Sequence, residues 1–197
     1  MATSRPNKSI SDFKSALIGG GARPNLFQVE LTTLPDAVTG WDADTFQFLC
    51  KGASLPAQNI ANIDVPFRGR IFKVAGDRTI DTWTVTVIND ENFVLRNAFE
   101  NWTQQIADLD TNIGATDPNA YMTNAKVFQL GRGSTKSSTD SSGDANVVLK
   151  EYEFVDIFPT TVSTIDLSYD TGDTIEEFTV EFQVQSLKLT GAGGPNG

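Results

Sequence analysis

Two pairs of carboxylates are the residues of this 197-residue chain whose types and spacing could do chemistry. Glu151 with Glu153, and Glu176 with Glu177, could supply the acid and the base of a hydrolase. The first pair is spaced two residues apart, which places both side chains on one face of a strand, and the second pair is adjacent. Both arrangements are more typical of solvated charge than of an acid–base site.

The composition removes the other common routes to catalysis. The chain has no histidine, so it lacks the usual general base, the usual metal ligand and the base of a serine or cysteine nucleophile. Its acidic residues do not follow the spacing of a calcium-binding loop. The single cysteine, Cys50, is predicted to be a buried thiol. We therefore expect no catalytic residue, no metal site and no cofactor, and we predict that the protein is not an enzyme.

Positive charge is concentrated in one segment of an acidic protein. The formal net charge is -10, yet residues 51–78 carry five basic side chains and only Asp64 and Asp77 as acidic ones. Such a segment could bind nucleic acid, bind phosphate or meet an acidic surface on another copy. Five basic residues over this length are a weak nucleic-acid signal, and the acidic flanks would repel phosphate. The basic residues are Lys51, Arg68, Arg70, Lys73 and Arg78.

The elements that must position these side chains are mainly β-strands. In the clearest strand, 79–88, Trp and Val residues alternate with Thr, which predicts one packed face and one polar, uncharged face. Residues 57–70 are expected to form a partly extended excursion, and 75–77 and 159–162 to form turns. The predicted strands span 25–31, 45–51, 70–74, 79–88, 124–130, 147–158, 163–170 and 174–189.

One helix is predicted at about residues 90–109, capped by Asn89 or Asp90, because its apolar residues recur at three- and four-residue spacing up to Leu109. Such a stripe favours a helix that covers one side of a sheet. The predicted fold is mainly β, an antiparallel β-sandwich or barrel with one flanking α-helix. The predicted organisation is a flexible N-terminal arm at 1–21, a single β domain at 22–189 with a mobile loop at 131–146, and a flexible tail at 190–197.

Five blocks of the chain carry a resemblance, and the central one is long and irregular enough to be specific. They are ARPNLFQVEL (22–31), SLPA (54–57), VAGDRTIDTWTVTVINDE (74–91), FPTTVSTIDLSYD (158–170) and TIEEFTVEFQV (174–184). In this order they resemble the tail tube protein family of bacteriophages with long contractile tails. The resemblance spans about residues 22–185, which is nearly the whole predicted domain.

The resemblance implies a structural virion protein. Six copies would form a ring in which each subunit contributes strands to one continuous hexameric β-barrel, and stacked rings would form the inner tube that delivers the genome into the host cell. The implied partners are the chain itself, the tail sheath protein, baseplate and tail-terminator proteins at the tube ends, the tape-measure protein, and then viral DNA in the lumen without sequence-specific binding. The implied location is the virion tail tube, after assembly in the host cytoplasm. The alternative is the inner tube of a phage-derived contractile injection particle that delivers protein effectors.

Two sets of residues follow as candidate sites in such a tube. Hydroxyl and acidic side chains suit a channel through which DNA slides, because they offer no cation that would hold a phosphate. The basic residues named above are expected at inter-subunit or inter-ring contacts, opposite the acidic surface of a neighbouring copy. One competing interpretation is a monomeric sandwich whose polar faces are only solvated, and another is a carbohydrate- or protein-binding sandwich. The predicted lumen-facing residues are Thr82, Thr84, Thr86, Glu177, Thr179 and Glu181.

Overall fold

The computed structural model describes residues 9–17, 21–31, 33–35, 38–131 and 148–190. Most of the predicted mobile loop at 131–146 lies outside these ranges, as do the beginning of the predicted arm and nearly all of the predicted tail. Within the described ranges, no helix is long and apolar enough to cross a membrane.

The described residues form three α-helices and nine strands. The helices are α1 Ile10–Ala16, α2 Ala43–Leu49 and α3 Val94–Ile106, and a 3₁₀ turn follows at Pro118–Ala120. The strands are β1 Phe27–Glu30, β2 Cys50–Ala53, β3 Gln58–Phe67, β4 Arg70–Ile80, β5 Trp83–Ile88, β6 Thr123–Leu130, β7 Val148–Val162, β8 Glu177–Gln183 and β9 Ser186–Thr190.

All strand pairs are antiparallel, and the main sheet has the order β1-β6-β7-β8-β5-β2. The long strand β7 pairs with β9 along its first part and with β8 along its second part, while β6 lies on its other side. The path begins at β1 and ends at β2, so the described part of a single chain does not close into a barrel. The mainly β, antiparallel fold class is confirmed, and a barrel shared between copies stays a prediction.

One hairpin belongs to two sheets at once. The pairing of β2 with β5, in which Ala53 lies opposite Val85, continues in the same register into the pairing of Gln58 with Ile80 in β3 and β4. Two backbone hydrogen bonds of 2.9 and 3.0 Å bridge the gap between the two pairs. We call residues 58–80 the ribbon: it continues the main sheet outward, and nearly all of its side chains are exposed.

The core lies where the main sheet meets α3. Trp83 of β5 and Phe182 of β8 are fully buried, with ring centroids 5.1 Å apart. From α3, Phe99 and Trp102 lie 6.0 and 5.9 Å from the Phe182 ring, and Phe154 of β7 lies 4.7 Å from Trp83. Aromatic burial of this kind contributes most of the free energy that holds a sheet and a helix together. The predicted packed face of β5 and the predicted covering helix are confirmed.

The strand predicted at 45–51 is wrong, because these residues form α2 and then begin β2. The Asp42 carboxylate accepts hydrogen bonds from the Asp44 and Thr45 backbone amides at 3.1 and 3.4 Å and so caps a helix. Helical spacing separates two side chains that strand alternation would place together: Phe46 is fully buried and Phe48 is 82% exposed.

The turn predicted at 75–77 is wrong, because these residues lie in β4, and the partly extended excursion predicted at 57–70 is a regular strand, β3, as far as Phe67. The chain turns instead at Arg68 and Gly69, whose φ angles of 46° and 81° suit a two-residue hairpin loop. Gly76 serves a close approach between strands. A Cβ atom there would lie 3.0 Å from the Ala61 carbonyl oxygen and 3.2 Å from Ile63 Cγ1.

The single predicted helix at 90–109 is shorter in the structure, and two further helices accompany it. A turn in which the Phe93 amide donates to the Asp90 carbonyl precedes α3, and Phe93 occupies the cap position at φ 54° without a side-chain cap. Leu109, placed on the packing face by periodicity, is 89% exposed beyond the helix end. β7 continues through the turn predicted at 159–162, and residues 163–170 form no strand.

Candidate assembly surfaces

The predicted lumen-facing residues meet on one side of the main sheet. Thr84 of β5 lies opposite Glu181 of β8, and Thr86 lies opposite Thr179, all four half-buried. Their alternate neighbours Val85 and Val180 face the core, so these four side chains must face away from it. We call this surface, together with Thr161 and Glu177, the hydroxyl face.

Two threonines lie at the margins of the hydroxyl face. Thr161 of β7 lies opposite Glu181 and was missed, because the sequence around it predicts a turn. The sequence feature that could have identified Thr161 was a hydroxyl side chain at a position that continues the alternation of the strand. Thr82 lies in the two-residue connection before β5, exposed and outside any strand. Thr82 therefore adjoins the hydroxyl face at the root of the ribbon.

Lys51 and Glu177, which belong to different predicted sets, form one ion pair. The Lys51 Nζ atom lies 2.5 Å from Glu177 Oε1, with side chains 55% and 35% exposed. Ion pairs this exposed contribute only about 0–1 kcal/mol to stability. The position of Lys51 on β2 places its charge beside the hydroxyl face and not on the ribbon.

The other four basic residues all lie on the ribbon, but they do not share one side of it. Lys73 lies opposite Asp64, and Arg70 lies opposite Phe67. Because successive residues of a strand point to opposite sides, Arg70 and Lys73, which are three positions apart on β4, point to different sides of the ribbon. Arg68 occupies the turn, and Arg78 donates a hydrogen bond to Gln58 near the root.

One side of the ribbon is apolar toward its tip, which sequence reasoning missed. Ile63 lies opposite Val74, Val65 lies opposite Phe72, and Phe67 follows on the same side. These side chains are 41% to 67% exposed. The signal was the spacing of Ile63, Val65 and Phe67, which was obscured because Pro66 and the glycines suggested a loop. We call these five side chains the apolar face of the ribbon.

Helix α1 carries a second exposed apolar surface, inside the predicted arm. A capping box fixes its start: the Asp12 amide donates to Ser9 Oγ at 3.3 Å, and the Ser9 amide donates to Asp12 Oδ2 at 2.9 Å. Ile10, Phe13 and Leu17 recur at spacings of three and four residues, which places them on one side of the helix. They are 72%, 62% and 45% exposed.

The carboxylates that could have formed an acid–base site have other partners. Glu151 lies 2.9 Å from Lys126 Nζ, and Glu153 lies 3.8 Å from Lys188 Nζ on the same outer surface of β6, β7 and β9. The hydrogen bond and charge of Glu151 raise the pKa of Lys126. Within the described ranges, no group of three potential metal ligands occurs. This surface fits a solvated row of alternating charges.

Comparisons with known proteins match the chain over its β domain. A family model described as phage tail tube protein matches residues 22–189. The tail tube protein gp19 of Enterobacteria phage T4 is 38% identical over 162 residues, which cover 82% of this chain and 88% of that protein. The tail tube protein of Serratia phage KSP90 is 22% identical over 178 residues, which cover 89% of this chain and 93% of that one.

Solved structures with the same fold come from contractile machines. A chain in the sheath–tube complex of an extracellular contractile injection system in the extended state has a TM-score of 0.55 at 12% identity, covering 94% of this chain and 100% of its own length. A chain in the tube-terminating cap of the anti-feeding prophage has a TM-score of 0.57 at 17% identity, covering 87% and 92%. At these identities the likeness shows the fold alone.

Proposed function

The chain belongs to the phage tail tube protein family, and we propose from this premise that six copies of it close into rings that stack into a hollow tube. The function is that of a structural tail tube protein of a contractile phage tail, and the observation that carries it is the family match across the β domain. The chain is accordingly a virion component, and we propose assembly in the host cytoplasm. The identity to a phage tail tube protein favours genome delivery over the delivery of protein effectors.

Ring closure is supported by the unclosed main sheet. Its two end strands, β1 and β2, each have one side without a partner strand among the described residues of the chain. An unpaired edge exposes backbone donors and acceptors that pair readily with another chain. Head-to-tail pairing of identical subunits removes such edges once the ring closes, and the hydrogen bonds then continue around a shared barrel.

The hydroxyl face is proposed to line the channel. Its side chains are mostly threonines with Glu177 and Glu181, and Lys51, which lies beside it, is paired with Glu177. A lining of this kind offers DNA no unpaired cation, so phosphates pass without being held. The tape-measure protein and then viral DNA are the proposed occupants, without sequence-specific binding.

The ribbon is proposed to make inter-subunit or inter-ring contacts. It projects from the sheet with Arg68, Arg70, Lys73 and Arg78 on a chain that is otherwise strongly acidic. Opposite charge on a neighbouring copy would orient docking more than it would strengthen it. The outer side of the tube would face the sheath protein, and its ends would meet baseplate and terminator proteins.

Electron microscopy of the purified protein tests the assembly. We expect rings with six-fold symmetry, or hollow tubes built from them, at high protein concentration. A sample that stays uniformly monomeric under those conditions, as measured by light scattering, would overturn the proposed assembly. Packaging of DNA or of protein in particles isolated from producing cells would separate the phage tail from the injection particle.

A further inference from the structure

The apolar face of the ribbon lies on one side of β3 and β4. The register shift between Ile60 and Asn62 places the extra residue on β4, so β3 alternates without interruption and Ile63, Val65 and Phe67 share one side with Val74 and Phe72. In the main sheet, by contrast, α3 covers the apolar side. Along the ribbon, no described element of the chain covers it, and Phe72 remains 67% exposed.

Helix α1 has the complementary property of an apolar stripe that covers nothing. It has no buried residue, and the capping box stabilises only its start. A helix of this length is about 10 Å long, and the strand segment from Ile63 to Phe67 extends about 13 Å, so one helix can cover the apolar face.

We propose that the apolar stripe of α1 in one copy packs on the apolar face of the ribbon in a second copy. The pairing repeats between subunits the layering of α3 on the main sheet within one chain. Since each copy carries one stripe and one apolar face, the contact is head-to-tail and leaves a free half at each end, as an extending assembly requires. That the packing helix comes from a second copy rests on the proposed function, in which copies of the same chain are neighbours.

The proposal assigns adhesion to the apolar side of the ribbon and a lesser role to its basic residues. The polar side, where Lys73 lies opposite Asp64, balances its charge within the ribbon itself. Burial of Phe72 and Phe13 removes far more apolar surface from water than any contact of Lys73 would. A residue next to Phe72 in sequence but on the other side of β4 therefore provides a matched control.

The test is a cysteine crosslink between two singly substituted proteins. F13C and F72C proteins are mixed, assembled and oxidised, then quenched with an alkylating reagent and separated on a denaturing gel. We expect a crosslinked dimer between the two variants, at least ten-fold more abundant than with K73C in place of F72C. Both substituted phenylalanines are exposed, so the variants are expected to fold, which circular dichroism checks.

The outcomes separate this proposal from the proposed tube. Tubes that form without the crosslink between positions 13 and 72, or with equal crosslinking to position 73, would overturn the α1 contact and leave the tube intact. If no tubes form, the crosslink in concentrated soluble protein still decides the contact: its presence supports it and its absence overturns it. A crosslink within one F13C/F72C chain, at a rate independent of protein concentration, would place α1 on its own ribbon and also overturn the proposal.

Discussion

The two halves of one hairpin have the same strand pairing and opposite surroundings. In the inner half, β2 with β5, the apolar side is covered by the chain's own helix and buries Trp83, Val85 and Val87 completely. In the outer half, the ribbon, the apolar face exposes Val65 and Phe72 to solvent. Both halves are antiparallel pairs with one register shift each, so the type of strand pairing does not explain the difference. What differs is whether one chain supplies the covering layer.

The comparison separates residues that fold the subunit from residues available for its assembly. Burial of a large side chain against the same chain stabilises the subunit by roughly 1.5–3 kcal/mol, whether or not other copies are present. Exposed apolar side chains at this density are uncommon on monomeric proteins and mark interaction surfaces. Substitutions in the inner half should therefore change folding, and substitutions in the ribbon should change association.

The largest effect is expected from truncating the inner half's packing. F182A removes a fully buried ring that contacts Trp83, Phe99 and Trp102, and should lower the free energy of unfolding by about 3–5 kcal/mol. F72A on the ribbon should change it by less than about 0.5 kcal/mol. Urea denaturation of the monomer measures both values. Equal losses for the two variants would mean that the ribbon belongs to the folded core.

A smaller effect is expected from reversing the ribbon's charge. R68E together with R70E changes two exposed side chains at the tip and should leave the subunit folded, with its circular dichroism spectrum unchanged. Each lost contact is worth only about 0–1 kcal/mol, but every subunit repeats it, so we expect a several-fold lower yield of shorter tubes. Electron microscopy measures tube length, with the conservative R68K/R70K variant as the control. Unchanged length and yield would refute a contact at these residues.

A still narrower effect is expected on the hydroxyl face, where assembly should survive and passage should suffer. E177K with E181K turns an acidic lining basic and places a new lysine beside Lys51. Tubes should form in normal numbers, while DNA delivery falls because phosphates are held in the channel. Infectivity per particle measures delivery. The control is E91K with D110K, which makes the same charge change at exposed residues away from this face; normal infectivity of E177K/E181K particles would contradict a lumen position.

Alternation predicted β5 of the inner half well and the ribbon poorly, for a physical reason. Val85 and Thr84 differ in polarity because one side packs and the other meets water, so the sequence records the two sides. In the ribbon, Ile71 and Phe72 are neighbours on opposite sides and both are apolar, which hides the period. In the sequence Gly76 suggests a turn, whereas in the structure it allows β3 and β4 to approach closely.

Local chemistry also defeated the prediction at α2. Thr45 to Lys51 alternates as a strand would, and only the capping of Asp42 onto Thr45 shows that a helix begins there. The candidate sites divide in the same way. All of the predicted lumen-facing residues except Thr82 lie on regular strands, so alternation could group them on one face, and their place in a channel stays a prediction. The apolar face and the α1 stripe became visible only once the structure showed that no described element of the chain covers them.

The smallest effect concerns the alkylation of single thiols, which compares the solvent accessibility of the two halves without disturbing either. Cys50 lies at the start of β2 and is 8% exposed, and burial raises its pKa to about 12. Its thiolate therefore becomes abundant only as the pH approaches 12, so at pH 8 the thiol should resist iodoacetamide in the folded protein and react after denaturation. In the K73C variant, the ribbon cysteine should react at pH 8 while Cys50 does not, giving one label per folded chain by mass spectrometry. Two labels on the folded chain would mean that the inner half opens to solvent as readily as the ribbon, and the division between a folding half and an assembling half would fail.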